Sequence, residues 1–482
     1  MDQPLAFPLD IPVRGRLQAL HGQLRAAILD GRLRTGQTLP STRTLATSLG
    51  VSRNTVVAAY DLLLSEGYVV SRQGAGYVVA HAGPTQPSAS RPGASVEPRL
   101  QPRWRDATVP APMNALPPAR YDLRVGLPDI SRFPFEAWRK LSARALRTLG
   151  QAMCAYDAVE GRAALREAIA GHVSFTRAVT CSAADIMVTG GAQQAFDLLA
   201  RILVTTGRTV VAVEDPGYPP LRAAFEAAGA NVVPVPLDDE GLIVERIPPD
   251  ARVIYVTPSH QFPSGMAMSP ARRAALLDFA RRQGAVIVED DYDGEFRYGG
   301  RPLDALQTLD RDGSVFYVGT FSKSLFPALR LGYVVAPAWA MAALGSVRQL
   351  VDRHSDLVAQ DTLALFIAEG HLARHVRKMR RIYAERREAL LDGLSRHAGE
   401  ALRPLASDAG LHIAAALRWP VAASQLVKDA AARDMRIEAL GDYAVGEHQP
   451  NGLVFGLGGI PATRMDEAAR LLARLLEVYR PH

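Results

Sequence analysis

The stretch GTFSKSLFPALRLGYVV, Gly319 to Val335, sets Lys323 among small and hydroxyl residues directly after the apolar run SVFYVG. A lysine amine captures an aldehyde only once it has lost its proton, and a partly dry site near positive charge favours that loss. Thr320 and Ser322 just before it and Arg330 seven residues after it supply the donors that a phosphate on the aldehyde needs. Pyridoxal phosphate fits this set, with a solvated lysine in a loop as the competing reading. In VIVEDDYDGEF, Asp290 or Asp291 is placed to face a pyridine nitrogen, which works as an electron sink only when protonated, and Tyr292 to meet the ring oxygen. The same acidic run also suits a hydrated turn or a divalent metal. GGAQQA sets Gly190 and Gly191 ahead of a helix, where free N–H groups and the dipole attract an anion, unless the pair is only a tight turn. EDPGY holds Tyr218 on a rigid turn, able to cover a flat ring or to sit in the core.

These residues fall at the ends of apolar runs. Beyond Tyr121 the chain alternates such runs with amphipathic stretches: DIMVTGG then AQQAFDLLARIL, TVVAVEDPGY then PPLRAAFEAAG, RVIYVTPSH then SPARRAALLDFARRQG, then AVIVEDDY and SVFYVGTFSK. Buried strands alternating with helices predict a mainly parallel α/β sheet covered on both faces, with ligands at the carboxyl ends of its strands. Gly190, Gly191, Asp215, Tyr218, Asp290, Tyr292 and Lys323 all sit at such ends.

The first 80 residues read differently. RLQALHGQLRAAILDGRL is helical up to Gly31. TLPSTRTLATSLGVSRNTVVAAYDLLLSEGYVV adds a short helix, a turn at Gly50, and a helix capped by Ser52 that exits at Gly67. VSRQGAGYVVA is a predicted hairpin with Gly74 and Gly76 at its tip, so the order is helix, turn, helix, wing. The second helix of the pair opens on Ser52, Arg53, Asn54 and Thr55, side chains suited to phosphates and base edges, with Val56, Val57, Tyr60, Leu63 and Leu64 as its packing face. Between the halves, residues 81–120 carry nine prolines from Pro84 to Pro118 and almost no apolar period. A coil of that length spans roughly 35 Å.

LPSTRTLATSLGVSRNTV, Leu39 to Val56, resembles the winged helix of the GntR-type regulators. Tyr156 with Gly161, GGAQQAFDL, EDPGY, TPSHQFPSG, EDDYDGEFRY and GTFSKSLFPALRLGY resemble the fold-type I, class I aminotransferases. Both halves together resemble the MocR family of regulators, which includes PdxR. The fold class implied is α/β: a winged helix-turn-helix at 1–80, a proline-rich linker at 81–120, and an aminotransferase-like domain at 121–482 that binds pyridoxal phosphate and dimerises. The resemblance implies that Lys323 holds the cofactor as an internal aldimine, that Asp290 rather than Asp291 pairs with the pyridinium, that Tyr292 contacts the ring hydroxyl and that Tyr218 stacks on the ring. It assigns phosphate binding to the Ala192 N–H, Gln193, Thr320, Ser322 and Arg330, with Tyr156 arriving from the other subunit of a head-to-tail, domain-swapped homodimer. On DNA it places Ser41 and Arg43 at the backbone, Arg53 and Thr55 at the groove, and the Gly74 to Gly76 wing in an adjacent groove.

The chain also departs from transaminases. Phe262 stands in FPSG where an asparagine contacts the ring hydroxyl, as MocR members commonly have, and Leu453 in NGLVFGLGG aligns with the arginine that grips a substrate α-carboxylate. Pro220 stands where a GABA-sensing relative has a further arginine. Amino-acid turnover is therefore expected to be feeble and the large domain sensory, responding to pyridoxal phosphate or its amino-acid aldimine. The rival readings are a working aminotransferase that also binds promoter DNA, and a regulator whose large domain is only a scaffold. His371 and His375 share zinc-like spacing without a third ligand, so a solvated basic helix is expected there and no metal, and GLGG at Gly456 to Gly459 reads as a turn.

Bulk composition sets the limits. The 482 residues are 48% hydrophobic and 22% charged with net charge +6, enough for two or three domains and compatible with an acidic partner such as DNA. Cys154 and Cys181 are too few for a disulfide framework, and no run is apolar enough to span a bilayer, so a soluble cytoplasmic protein without membrane contact is expected.

Overall fold

The computed structural model describes residues 5–12, 14–72, 76–80, 99, 101, 104, 119–151, 155–299, 303–446 and 449–481. The proline-rich linker, Gly74 and Cys154 lie outside the described residues, apart from a few isolated linker positions. The chain divides into two compact units, Met1–Val109 and Pro110–His482.

In the first unit, helices α1 (Arg16–Leu29), α2 (Thr42–Leu49) and α3 (Arg53–Ser65) pack with a hairpin of β1 (Val69–Arg72) and β2 (Gly76–Val79). Ser41 Oγ accepts the Thr44 N–H at 3.1 Å and Ser52 Oγ the Thr55 N–H at 3.1 Å, so each helix of the pair begins on a serine cap. Gly50 ends α2 in the left-handed conformation that the sharp turn requires. Leu20, Leu24, Ile28, Leu45, Val56, Tyr60, Leu63, Val69 and Val79 form the core. The packing face of α3 is narrower than the sequence suggested. Val56, Tyr60 and Leu63 are fully buried, whereas Val57 is half-buried and Leu64 exposed, because residues one step along a helix turn about 100° away from the core.

The second unit is built on an eight-stranded sheet. Its strands are β4 (Ile186–Thr189), β5 (Val210–Asp215), β6 (Asn231–Asp238), β7 (Gly241–Leu242), β8 (Ala251–Val256), β9 (Val286–Asp291), β10 (Val315–Thr320) and β11 (Gly332–Val335). A short strand β3 (Tyr121–Asp122) precedes them. The order is β4-β11-β10-β9-β8-β5-β6-β7, with β7 and β11 antiparallel to their neighbours and all other pairs parallel. Along the chain lie helices α4 (Phe135–Gln151), α5 (Ala163–Arg177), α6 (Ala192–Leu203), α7 (Pro219–Ala227), α8 (Pro270–Gln283), α9 (Ala338–Val351), α10 (Leu357–Ala368) and α11 (His371–Ala398). Apolar residues of α6, α7 and α9 cover one face of the sheet and those of α8 the other, as near-continuous apolar strands require.

A four-stranded antiparallel sheet follows, in the order β12 (Leu402–Pro404), β13 (His412–Leu417), β16 (Gly452–Gly456) and β15 (Glu438–Ala439). It is accompanied by helices α12 (Ala423–Ala431) and α13 (Met465–Glu477), while β14 (Met435–Arg436) pairs with β3. The GLGG run that leaves β16 is more than a turn. A Cβ on Gly456, Gly458 or Gly459 would lie 1.9, 1.7 and 2.1 Å from the carbonyl oxygens of Arg124, Leu127 and Asp122. Only glycine lets the 122–127 segment lie this close, and that segment carries Gly126 to the lysine.

Because Ser52 alone caps α3 through its side chain, Ser52→Ala is expected to cost the helix about 1 kcal/mol. Hydrogen exchange of the first α3 amides in the full chain should then speed up by roughly fivefold; unchanged exchange would contradict the cap.

Candidate cofactor site and DNA-reading face

The carboxyl ends of β4, β5, β8, β9 and β10 converge on one edge, and the predicted residues meet there. Ala192, Gln193, Tyr218, Asp290, Tyr292, Thr320, Ser322, Lys323 and Arg330 all line one cavity of about 240 Å³. Lys323 sits in the turn after β10, and its Nζ donates to the Gly126 carbonyl at 2.7 Å. Burial lowers the lysine below its ordinary range, against the opposing pull of Asp293, Asp290 and Glu438. An amine poised in this way loses its proton more readily than one in water.

Strand parity separates the two aspartates. Asp291 turns to one face of β9, where the buried Arg177 Nε donates to it at 2.6 Å and the Tyr317 hydroxyl at 2.6 Å. Asp290 turns to the other face and lines the cavity. Its Oδ2 accepts the Tyr255 hydroxyl at 2.8 Å, while its Oδ1 is buried without a partner among the described residues. Burial pushes this carboxyl up to about 7, the Tyr255 bond offsetting part of the rise. A buried oxygen that lacks a donor is costly unless something brings one, and a protonated ring nitrogen is such a donor.

The phosphate end is equally formed. Gly191 takes φ +89°, and a Cβ there would lie 3.1 Å from the Arg330 guanidinium. Arg330 itself holds the left-handed φ of 50°, a strained choice for arginine that aims its fork across the N-terminus of α6, which has no side-chain cap. The Thr320 hydroxyl donates to Ser322 Oγ at 3.0 Å. Gln193 donates its amide to the Pro220 carbonyl at 3.1 Å. These donors, the glycine cradle and the orphaned Asp290 oxygen fit pyridoxal phosphate.

The apolar side of the cavity is aromatic. Phe262 meets Tyr218, Tyr292 and Tyr443 edge to face at 5.3, 5.7 and 5.0 Å, and burial pushes the Tyr218 hydroxyl up to about 12. Leu453 does not reach the site. It is buried among core residues on the far side of β16, and its neighbour Val454 joins the cluster of Val125, Phe262 and Leu440. Tyr156 is 75% exposed, with the Arg353 guanidinium 4.2 Å from its ring centroid, and is not among the cavity-lining residues of its own chain.

Sequence reasoning missed three buried polar residues. His260, Asp293 and His412 bring ligand-type atoms within 4.8 Å of one another. Those atoms are already engaged: His260 Nδ1 lies 3.1 Å from Asp293 and its Nε2 3.2 Å from Ser407 Oγ, while His412 Nε2 donates to the Pro263 carbonyl at 3.0 Å. The cluster is a hydrogen-bonded wall, and burial drops His412 to about 3, leaving it neutral. A histidine at the end of a strand in TPSHQFPSG was the available signal. His375 is buried against Phe133 and the half-buried His371 stacks on Phe366, while Arg374, Arg377, Lys378 and Arg380 are exposed, so the helix has a core face that takes the histidines and the solvated basic face that was expected. Cys181 is half-buried and free, and burial pushes its thiol up to about 11.

In the first unit, Ser52, Arg53 and Asn54 are exposed on the opening turn of α3, with Thr55 half-buried beside them. Arg53 Nε donates to Thr42 Oγ1 at 3.4 Å, so α2 steers it. Ser41 and Arg43 are exposed on the neighbouring turn, and Gly76 begins the second wing strand with φ +74°.

Residues 17–79 match the family described as bacterial regulatory proteins, gntR family, and residues 122–433 match aminotransferase class I and II. The chain is 37% identical over 472 residues to the "Probable rhizopine catabolism regulatory protein MocR" of Rhizobium meliloti, covering 96% of this chain and 93% of that one. It is 33% identical over 461 residues to the "HTH-type pyridoxine biosynthesis transcriptional regulator PdxR" of Corynebacterium glutamicum, covering 95% of each. Among solved structures it resembles kynurenine aminotransferase of Pyrococcus horikoshii, with a TM-score of 0.69 and 26% identity over 75% of this chain and 91% of that one.

Asp290 generates a pH test. Its carboxyl ordinarily titrates at 3.8, and in the folded cofactor-free chain at about 7. Between those values the folded state keeps a proton that the unfolded chain has released, so stability falls as pH rises through the window and levels off above it. Asp290→Asn should therefore raise the urea midpoint more at pH 8 than at pH 5, while weakening pyridoxal phosphate binding by about tenfold or more. An equal midpoint shift at both pH values would contradict the assignment.

Proposed function

We propose how this chain works from the family to which it belongs, the MocR-type regulators, which join a GntR-type DNA-binding domain to a domain of the class I and II aminotransferases. It is a DNA-binding transcription regulator. In our reading the large domain binds pyridoxal phosphate and reports its presence to the winged helix. The observation that carries this reading is the unpartnered Asp290 Oδ1 in the cavity of Lys323.

When bound, the group supplies an aldehyde carbon open to amines and a pyridinium that withdraws electrons. Lys323 holds that carbon, Asp290 keeps the ring nitrogen protonated, Tyr218 and Phe262 exclude water from the ring faces, and Tyr292 orients the ring oxygen. Arg330, Thr320, Ser322, Gln193 and the Ala192 N–H hold the phosphate. The role is sensing rather than turnover, since β16 offers Val454 to the site cluster and no guanidinium from that strand. The working form is a head-to-tail homodimer in which Tyr156 of the partner subunit closes each site, and its exposure in the single chain supports that role. Residues 1–80 read double-stranded promoter DNA in the cytoplasm, with Arg53, Asn54 and Thr55 at base edges, Ser41, Arg43 and Ser52 at phosphates, and the wing alongside. A coupling of about 1 to 3 kcal/mol between the two sites is enough to change promoter occupancy.

Mixing the purified chain with pyridoxal phosphate should produce a visible absorbance band that Lys323→Ala abolishes. Arg53→Ala should weaken promoter binding by about tenfold and leave the band intact. A band that survives Lys323→Ala, or promoter affinity indifferent to Arg53, would overturn the reading.

A further inference from the structure

Consecutive residues of β13 point to opposite faces, and two cavities lie back to back across it. His412 lines the cofactor cavity, whereas Ile413 lines a second cavity of about 400 Å³. Two guanidiniums face this second space: Arg387 from α11 and Arg297 from the segment after β9. Arg387 donates one N–H to the Ser407 carbonyl, and its Nε is buried without an acceptor among the described residues. The carboxylates lining the cavity, Asp408 and Asp239, are exposed, and Asp408 lies 4.0 Å from the Arg387 guanidinium. Leu391, Leu405 and Ile413 supply apolar wall between them. Cation within, carboxylates at the rim and an apolar flank complement a zwitterion that enters carboxylate first.

A hydrogen-bonded path joins the two cavities. The Ser407 hydroxyl has one proton and two acceptors in reach, the Ala409 carbonyl at 3.1 Å and His260 Nε2 at 3.2 Å. Asp293, whose oxygens only accept, lies 3.1 Å from His260 Nδ1 and keeps a proton on that nitrogen, which is also 2.8 Å from Tyr292 Oη, so the serine's choice decides whether His260 Nε2 accepts from Ser407 or loses that bond. The imidazole cannot evade the change by swinging, because it is clamped between two glycines of φ +85°. A Cβ on Gly410 would lie 1.9 Å from its Cε1, and one on Gly265 3.3 Å from its Nε2. A carboxylate drawn to Arg387 competes with the Ser407 carbonyl for the same guanidinium, and so bears directly on the serine that makes the choice.

We propose that the cavity between α11, β13 and the 404–409 segment is a second small-molecule site for a free, apolar α-amino acid, held by Arg387, Arg297 and the rim carboxylates, and that its occupancy reaches the cofactor cavity through Ser407, His260 and Tyr292. The site stands on its own geometry; the relay rests on the reading that pyridoxal phosphate occupies the Lys323 cavity.

The test uses the full chain loaded with pyridoxal phosphate and reduced with borohydride. The cofactor is then fixed to Lys323 by a C–N single bond, and no aldehyde remains to condense with an added amine. Calorimetry with L-leucine should give saturable binding at one site per chain. 4-Methylpentanoate and isopentylamine, each lacking one charge, should bind at least about tenfold more weakly. Leucine should also shift the fluorescence of the pyridoxyl-lysine group. Arg387→Gln and Arg297→Gln should each lower leucine affinity by about tenfold or more without altering cofactor loading. Ser407→Ala should keep the heat of binding and lose the fluorescence response. Absence of saturable heat to about 10 mM, equal binding of all three probes, or affinity unchanged in both arginine variants would overturn the site. Heat without a fluorescence shift would overturn the relay alone. Failure of the chain to acquire the pyridoxyl fluorophore would count against the cofactor reading, with the leucine heats still deciding the second site.

Discussion

The site turns on the burial of one lysine amine at the carboxyl edge of a parallel sheet. Removing an ammonium from water is unfavourable, and the chain answers with a carbonyl at 2.7 Å and a field from Asp290, Asp293 and Glu438 that is opposed by desolvation. The balance lowers the amine's proton affinity, which is the state an aldehyde requires. Much of the surrounding architecture serves this placement. Three glycines, at the end of β16 and just beyond it, let the 122–127 segment lie against them, and that segment delivers the Gly126 carbonyl. The left-handed Arg330 is tolerated next to a glycine that leaves room for its guanidinium.

Fold and function connect through the same edge. Parallel strands end together, so loops distant in sequence converge there without needing flexibility. The polar wall of His260, Asp293 and His412 then divides that edge from the outer cavity beside α11. A regulator built on such a sheet inherits a rigid ligand cavity, and its output lies in a separate unit whose reading helix starts on a serine cap.

Much of this was legible in the residues. Alternating apolar runs and amphipathic stretches revealed the α/β sheet, and the chemical residues at run ends converged as strand ends must. The capping Ser52 and the Gly50 turn defined the helix pair, while the matching cap at Ser41 emerged with the structure. What stayed hidden depended on which way a side chain turns. Asp290 and Asp291 differ only by strand parity, and the face of each depends on Arg177, more than a hundred residues away. The same limit set Leu453 in the core, with Val454 facing the cluster of Phe262, and narrowed the face of α3. Basic composition hid the core role of His375, because its aromatic neighbours come from other elements. His260 went unnoticed because its partners, Asp293, Tyr292 and Ser407, are assembled only by the fold.

The central claim is that a small molecule at Lys323 changes how the winged helix holds DNA. The most direct measurement is a titration of the chain's own upstream promoter fragment by fluorescence anisotropy, at fixed salt, with and without saturating pyridoxal phosphate. The account expects the two dissociation constants to differ by at least about fivefold, and Lys323→Ala to collapse them onto one curve. Coincident curves for the unmodified chain, under conditions where its absorbance confirms that the cofactor is bound, would contradict it.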